Sequence, residues 1–542
     1  MVFPERPTRA AMARLRSPVA FIVALAVLVI GTAAVHSASP IGPGQDQHYH
    51  TLVAAIAARW RGDAFYQGLY EPLRPLDANT LLYALAYVPE KLFDPVRAFQ
   101  VTTTTAYFVA LPLVTAYALW RTGRWPWGAL LSVPLAYVSS WSLGGYWPFL
   151  LAAPLMVVVV AESGRALGEE PDARGRAGPG GARPLLVASC AAALCFLAHA
   201  HVYTWTMIVV ALVALTAIAR ALASYRADPA AATAQAGTLA ARALVIAGPS
   251  LVLFGVWFAS THGGAHSATL PSEPGAPSPT FWDKLSLGAL ALTKGDGEKL
   301  FAVGLLAFVA SALMFRRAAP GRRVGAYEVA FAATALSWLA LPETVLGGQT
   351  VASRQLDMGL WLLPLVVAPR APRHPAWRTA LAAALFVLPA ARLVMIDEHL
   401  RALQGEYAGM RELARACPAE RGEIAYVTER VASRHWEGYA MHQPHETFAA
   451  LCGLDAPVYD PGIYPHNLLP LRYRRGLPAP VVIVSGDPRW PERAVLWERF
   501  DYVLVRGRLS GAQDAEARRR GTLLGEDDGW SLWRPRPPRT DR

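Results

Sequence analysis

Long apolar runs, repeated along the first three quarters of the chain, constrain its fold more than any other feature. A helix needs about 17 to 25 such residues to cross a bilayer, and short loops with arginines separate the runs. Eleven runs stand out, at about 18–35, 97–120, 126–141, 145–161, 184–199, 203–220, 243–260, 299–315, 325–341, 357–369 and 379–396. Only 17% of all residues are charged, against roughly 25% in soluble domains. The sequence therefore predicts an all-α polytopic membrane domain with about eleven transmembrane helices.

The arginines of the loops predict the orientation of these helices. Cytoplasmic loops carry an excess of Lys and Arg, and one set of alternate loops holds Arg121, Arg124, Arg165, Arg174, Arg176, Arg183, Arg220, Arg226, Arg242, Arg316, Arg317, Arg322, Arg323, Arg370, Arg373 and Arg378. The other loops after the first hold few cations, whereas the first outer segment has several. We expect a multi-pass bacterial inner-membrane protein with a cytoplasmic N-terminus. The net charge of +11 then reflects topology, so we do not expect a nucleic-acid partner.

The first apolar run has two interpretations, because basic residues precede it and small residues follow it. A cleavable signal peptide has this pattern, but the run is long for the apolar region of a signal. We favour an uncleaved first helix.

The composition changes sharply after residue 396. Short strand-like runs at 423–428, 480–485, 502–506 and 530–533 alternate with helical segments near 399–416 and 512–520, which predicts a small α/β domain. An odd number of spans places this domain outside the cytoplasm. We therefore divide the chain into a transmembrane domain, 1–396, and an extracytoplasmic domain, 397–542, in which Cys417 and Cys452 are candidates for a disulfide.

The first outer loop carries the most concentrated polar chemistry. Asp46, His48 and His50 lie within five residues, just beyond the first apolar run. A carboxylate at that point can accept a proton from a hydroxyl or help to hold a divalent cation; an ordinary solvated loop is the alternative. Residues 78–93 of the same loop are apolar but too short to span, and we expect them to form a half-inserted or interfacial helix.

Two further groups fall on the predicted outer side. His199 and His201 lie at a turn between spans, and Arg354 precedes a span on the side where arginines are scarce. A guanidinium there can clamp a phosphate bidentately, or it can pair with Asp357 or Glu343. The histidines are candidates to contact phosphate or an acceptor, or they belong to a plain helix-to-helix turn.

The sequence lacks the local motifs of several enzyme classes. It has no Walker A motif, no dinucleotide-binding glycine fingerprint, no H-E-x-x-H and no G-x-S-x-G, which argues against an ATPase or a zinc protease. Ionisable residues inside the spans are few, which argues against an ion-coupled transporter.

The layout resembles the GT-C superfamily of membrane glycosyltransferases. The resemblance lies in Pro43, Asp46 and His50 after the first helix, in the run 144–150, in the H-x-H at 199–201 and in Arg354. It implies a polyprenyl-phosphate-linked sugar as donor and an envelope glycan, lipid or protein as acceptor. It further implies that Asp46 is the catalytic base or a metal ligand, and that Arg354 and the histidines contact substrate. No cofactor is certain, and a divalent cation remains open.

Two other functions stay open beside this one. The first is a non-enzymatic membrane component for the export or assembly of an envelope polysaccharide or lipid. The second is a transporter.

Overall fold

The structure is a computed structural model. It describes residues 18–39, 47–71, 74, 76–136, 146–170, 180–223, 225–262, 280, 282, 284, 303–304, 324–342, 351–367, 374–416, 422–428, 452, 458–459, 472–473 and 489–536. Two compact units share the chain. Unit 1 comprises Met1–Val35, Thr103–Ser139 and Pro148–Ile396, and unit 2 comprises His36–Thr102, Ser140–Trp147 and Asp397–Arg542. The division into domains at residue 396 stays a prediction.

Helices dominate the described residues. They are α1 (Pro18–Ala38), α2 (Gln47–Arg59), α3 (Ala64–Leu69), α4 (Leu81–Ala86), α5 (Pro89–Leu92), α6 (Pro95–Thr103), α7 (Ala110–Arg121), α8 (Ser132–Leu135), α9 (Trp147–Ala166), α10 (Ala182–Ala198), α11 (Ala200–Ala223), α12 (Pro229–His262), α13 (Ala326–Ala340), α14 (Val351–Val367), α15 (Pro375–Ala416), α16 (Ala494–Glu498) and α17 (Gly511–Arg520). A π-helical segment, Thr104–Val109, joins α6 to α7, and 3₁₀ turns occupy Trp60–Gly62, Pro126–Leu131 and Trp490–Glu492.

Within the described residues, six helical stretches are long and apolar enough to cross a membrane: Pro18–Ala38, Pro95–Arg121, Trp147–Ala166, Ala200–Ala223, Pro229–Ser260 and Pro375–Gly405. Several expose large apolar side chains, such as Ile30 on α1 and Val252 on α12. Lipid is the solvent that such a surface fits, and a helix satisfies its own backbone hydrogen bonds there. These helices support a multi-pass membrane protein, while the count of eleven spans stays a prediction.

Two helices differ in length from the apolar runs that predicted them. Helix α12 has 34 residues and begins well before residue 243. Helix α15 has 42 residues and continues without a break through residue 396. A helix closes its own hydrogen bonds whether its side chains are apolar or charged, so the change in composition at that point marks a change of environment rather than a helix end. The run 126–141 begins as a 3₁₀ turn and the four-residue α8, and residues 137–141 lie outside the described residues.

The C-terminal part contains a five-stranded sheet. The described residues form seven strands in two sheets, and β1 and β4 make up the smaller sheet. The strands are β1 (Tyr70–Glu71), β2 (Gly422–Thr428), β3 (Val458–Tyr459), β4 (Arg472–Tyr473), β5 (Tyr502–Arg506), β6 (Gly521–Asp527) and β7 (Trp530–Pro535). The order in the large sheet is β3-β2-β5-β7-β6, in which β2 pairs in parallel with β3 and β5, while β7 is antiparallel to β5 and β6. The predicted strands at 423–428, 502–506 and 530–533 are confirmed, β6 was missed, and 480–485 lies outside the described residues.

The loop that follows helix α1 belongs to the same unit as this sheet. Strand β1 in that loop pairs antiparallel with β4, with Tyr70 opposite Tyr473. A hydrophobic core beside the large sheet contains Trp490, Trp497 and Trp533, which pack with Val503 and Val505. Cys452, in the same unit, is disulfide-bonded, while Cys417 lies outside the described residues.

Candidate functional site

The acidic loop leads directly into helix α2 of unit 2. This helix begins at Gln47, so Asp46 immediately precedes it in the sequence; Asp46 itself lies outside the described residues. His48 and His50 occupy its first turn and are both buried. Because each helical residue advances about 100°, the two imidazoles point in directions roughly 200° apart.

His50 is held by a second helix of the same unit. Its Nδ1 lies 2.7 Å from the Tyr83 hydroxyl on α4, and the two are hydrogen-bonded. Burial lowers the pKa of His50 from the ordinary 6.5 to about 3. The ring is therefore neutral at physiological pH, and this geometry favours an orienting role for His50 over a cationic contact with phosphate. Tyr83 had no signal in the sequence that would pair it with a residue 33 positions away.

Polar contacts also fix the end of helix α1 in unit 2. Gln404 on α15 donates to Ser39 Oγ over 2.5 Å, and Gln100 on α6 donates to the Ser39 carbonyl oxygen. The ring of His36 packs edge-on against Trp147, with centroids 5.6 Å apart. The chain is thus anchored seven residues before Asp46.

The histidines of unit 1 lie where two helices meet. His199 follows the last residue of α10 with an extended backbone, and His201 lies in the first turn of α11. The Val202 amide donates to His199 Nδ1 over 3.4 Å, so the imidazole caps the start of α11. The two rings are 6.3 Å apart.

Phe149, on helix α9, connects these histidines with Arg354. Its ring centroid is 5.5 Å from that of His199 and 5.8 Å from the Arg354 guanidinium. Gln355, the next residue on α14, places its amide nitrogen 3.3 Å from His201 Nε2. Three of the predicted residues therefore lie together in one group, which we call the Phe149 cluster: Phe149, His199, His201, Arg354, Gln355 and Trp361.

Two buried polar atoms in the Phe149 cluster have no hydrogen-bond partner among the described residues. They are Gln355 Oε1 and the indole nitrogen of Trp361, whose ring is 5.0 Å from Phe149. Buried polar atoms are paired in the great majority of cases, so water or a ligand group is expected to complete them. Of the other partners predicted for Arg354, Asp357 is buried one turn along α14, and Glu343 lies outside the described residues.

A second polar group in unit 1 was missed from the sequence. Arg124 Nη2 is 3.2 Å from Glu170 and 3.4 Å from Glu328, and its Nη1 donates to the Leu365 carbonyl over 2.5 Å. We call these residues the Arg124 cluster. Burial raises the pKa of Glu170, and the charge of Arg124 acts in the opposite direction. Nearby, Arg220 pairs with Glu169. The arginines that indicated the cytoplasmic side are thus partly neutralised by buried acids.

Metal binding finds no support in the described side chains. Across those stretches, no group of three or more His, Cys, Asp or Glu is placed to hold a metal ion. Asp46 lies outside them, so a divalent cation at that residue stays a prediction.

Comparison with solved structures identifies the fold of the chain. No protein-family model matches the chain, and no curated protein matches its sequence. Among solved structures, ArnT from Cupriavidus metallidurans bound to undecaprenyl phosphate superposes with a TM-score of 0.54 at 11% identity, over 95% of this chain and 98% of that one. Its apo form gives 0.50 at 13% identity, over 94% and 97%. ArnT is a GT-C glycosyltransferase.

The chain has the GT-C fold. The resemblance that the sequence indicated is therefore confirmed at the level of the fold, across nearly the whole length of both chains.

Proposed function

We propose that this GT-C-fold chain is an integral membrane glycosyltransferase of the extracytoplasmic face. It transfers a sugar from a polyprenyl-phosphate donor to an envelope acceptor. The observation that carries the proposal is the Phe149 cluster, which gathers Arg354, His199 and His201 in a fold similar to that of a protein that binds undecaprenyl phosphate.

The Phe149 cluster fits the phosphate of the donor. A guanidinium offers several N–H donors in a planar fork that matches phosphate oxygens. The ring of Phe149 beside Arg354 holds that cation through its π face without removing its charge. Gln355 Oε1, buried and without a partner among the described residues, adds an acceptor for a hydroxyl group.

Asp46 is the base in this proposal. It accepts the proton of the acceptor hydroxyl while that oxygen forms a bond to the anomeric carbon. The bond between this carbon and the phosphate oxygen breaks, and its electron pair leaves with the polyprenyl phosphate. Asp46 immediately precedes helix α2 in the sequence.

The topology supports the extracytoplasmic side. The disulfide at Cys452 is typical of an oxidising compartment, and the arginine distribution predicts the same orientation. Because the donor carries its own activating phosphate, the absence of a Walker A or dinucleotide motif in the sequence fits this chemistry.

The Asp46→Asn variant tests the proposal. We expect transfer of radiolabelled sugar from polyprenyl phosphate in membranes to fall by about 10² to 10⁴, the usual contribution of a positioned base. Asp63→Asn is the matched control in the same loop. Asp63 caps α3 by accepting from the Phe65 amide, and Asn caps a helix equally well. Full transfer by Asp46→Asn would favour a scaffold or transporter.

A further inference from the structure

A third polar group of unit 1 lies at the end of helix α9 that is far from the Phe149 cluster. Phe149 is near the start of α9, and Arg165 is in its last turn. At 1.5 Å per residue, about 24 Å of helix separates the two, so a phosphate beside Phe149 is out of reach of Arg165. We call this third group the Glu162 cluster; its members are Tyr117, Arg121, Glu162 and Arg165.

Both carboxylate oxygens of Glu162 already have hydrogen-bond donors. The side chain is only 1% exposed. Its Oε1 accepts from the Tyr117 hydroxyl over 2.7 Å, and its Oε2 accepts from Arg165 Nη1 over 2.8 Å. Arg121 Nε is 3.8 Å from Oε1, which is too long for a hydrogen bond. Two guanidiniums therefore share a single carboxylate.

Other acids do not complete this pairing. Among the residues that the structure describes, Glu162 is the only acid that pairs with Arg121 or Arg165. The two carboxylates of the Arg124 cluster, Glu170 and Glu328, contact Arg124 instead. The Glu162 cluster thus holds one more cationic side chain than it holds acids.

The guanidinium donors that remain indicate a ligand. Arg121 Nε and Arg165 Nε are both buried and have no hydrogen-bond partner among the described residues. Buried polar groups are paired in the great majority of cases, so an acceptor is expected to complete them. A guanidinium donates through two parallel N–H groups to two oxygens of a phosphate. The side chains of Arg121 and Arg165 are 17% and 11% exposed, so both can be reached from the surface.

The surface beside the Glu162 cluster is apolar and fits lipid. Arg121 is the last residue of α7 and of the membrane-spanning stretch Pro95–Arg121. Trp120 is 59% exposed, and Leu113, about two turns earlier and so on nearly the same face of the helix, is 48% exposed. Tryptophan is enriched where a membrane meets water. Arg121 therefore lies at the depth of the phospholipid phosphates.

We propose that the Glu162 cluster binds the phosphate of an anionic phospholipid, through the guanidiniums of Arg121 and Arg165. The loop arginines predict that this end of α9 is cytoplasmic, and basic sites between helices on that side suit anionic headgroups. Binding here does not depend on sugar transfer. Because a free phosphate ion offers the same oxygens, the test below includes both sources.

Binding of radiolabelled phosphatidylglycerol to the purified full-length chain in detergent tests this proposal. Unlabelled phosphatidylcholine and inorganic phosphate are the competitors. The variant Arg121→Gln removes one guanidinium, while Glu162 keeps its hydrogen bonds from Tyr117 and Arg165. Arg183→Gln is the matched control, because Arg183 is an exposed arginine at the start of α10, in a loop predicted to lie on the same side.

We expect Arg121→Gln to weaken phosphatidylglycerol binding at least about tenfold, as the loss of hydrogen bonds to a charged group implies. Arg183→Gln should bind as the unsubstituted chain does. Unchanged affinity in Arg121→Gln would overturn the proposal, and so would equal competition by phosphatidylcholine. Displacement of the lipid by excess inorganic phosphate would overturn a phospholipid as the ligand.

Two further arrangements keep this test decisive. Arg121→Lys replaces Arg121→Gln if the latter does not fold, because lysine keeps the charge beside Glu162 but lacks the planar fork. Weaker binding by Arg121→Lys supports the proposal, and unchanged binding overturns it. Sugar transfer is not measured, so a chain that binds phosphatidylglycerol through Arg121 but transfers no sugar would contradict the proposed function alone.

Discussion

The Arg124 and Phe149 clusters of unit 1 each contain an arginine, and the contacts that the structure shows for the two differ. In the Arg124 cluster, the guanidinium contacts two carboxylates and a carbonyl, and the Glu170 side chain is only 2% exposed. In the Phe149 cluster, the contacts of Arg354, His199 and His201 that the structure shows are with aromatic rings, an amide and one another. A cation held between buried acids stabilises the fold when the pair is complete, and a cation beside an aromatic ring is attracted by the π face of that ring. The comparison sets a structural arginine beside the arginine that we propose to contact the donor phosphate.

The largest effect is expected from Arg124→Gln. The substitution leaves Glu170 and Glu328 without their shared cation, and breaking a buried pair in this way costs about 3 to 5 kcal/mol. Resistance of the detergent-solubilised chain to thermal or SDS unfolding measures the loss. Arg401→Gln is the control, because Arg401 is 77% exposed in its 2.7 Å pair with Asp397, and exposed pairs contribute about 0 to 1 kcal/mol.

The double variant Arg124→Gln with Glu170→Gln sharpens this result. Removing a carboxylate together with its cation should recover part of the lost stability, because the two residues are coupled. Equal stability of Arg124→Gln and the unsubstituted chain would mean that the Arg124 cluster has no structural role.

Arg354→Ala should spare stability and lower activity. Losing a group that stabilises developing charge typically costs about 10² to 10³ in rate. Transfer of labelled sugar in membranes measures this, alongside an unfolding curve of the same preparation. Partial recovery by Arg354→Lys would support a role for the charge. An unfolding midpoint lowered as far as that of Arg124→Gln would erase the difference between the two clusters.

The imidazole of His50 gives a smaller effect that depends on pH. Its folded pKa of about 3 lies below the ordinary 6.5, so between these values the unfolded chain binds a proton that the folded chain does not. The contribution of neutral His50 to the free energy of unfolding is therefore fully present above pH 6.5. It falls with decreasing pH, by about 2 kcal/mol between pH 6.5 and 5. Comparing unfolding curves of the unsubstituted chain and His50→Gln isolates this contribution. An identical pH slope in both would mean that folding does not lower the pKa of His50.

The sequence predicted the class of fold but not the partners of its polar residues. Apolar runs predict helices because bilayer thickness demands length and composition together. Arginine counts located Arg124 in a loop, yet nothing local indicated Glu328, 204 positions away. The same limit applies to Gln355 and His201, which are 154 positions apart.

Secondary structure in the C-terminal part shows a related limit. Strand β5 was evident because Tyr502–Arg506 is a buried apolar run. Strand β6 was missed because it lies at the edge of the sheet, where its residues after Gly521 alternate between exposed and partly buried and end in two acidic residues. An edge strand is stabilised by its neighbour, and that neighbour, β7, follows it in the sequence.

Binding of undecaprenyl phosphate by the purified full-length chain, measured at equilibrium with radiolabelled lipid in nanodiscs, tests whether Arg354 contacts the donor phosphate. We expect Arg354→Ala to weaken binding at least about tenfold, equivalent to about 1.4 kcal/mol, and Arg401→Gln to bind as the unsubstituted chain does. Unchanged affinity in Arg354→Ala, with the protein still folded, would contradict the assignment of the Phe149 cluster to the lipid phosphate.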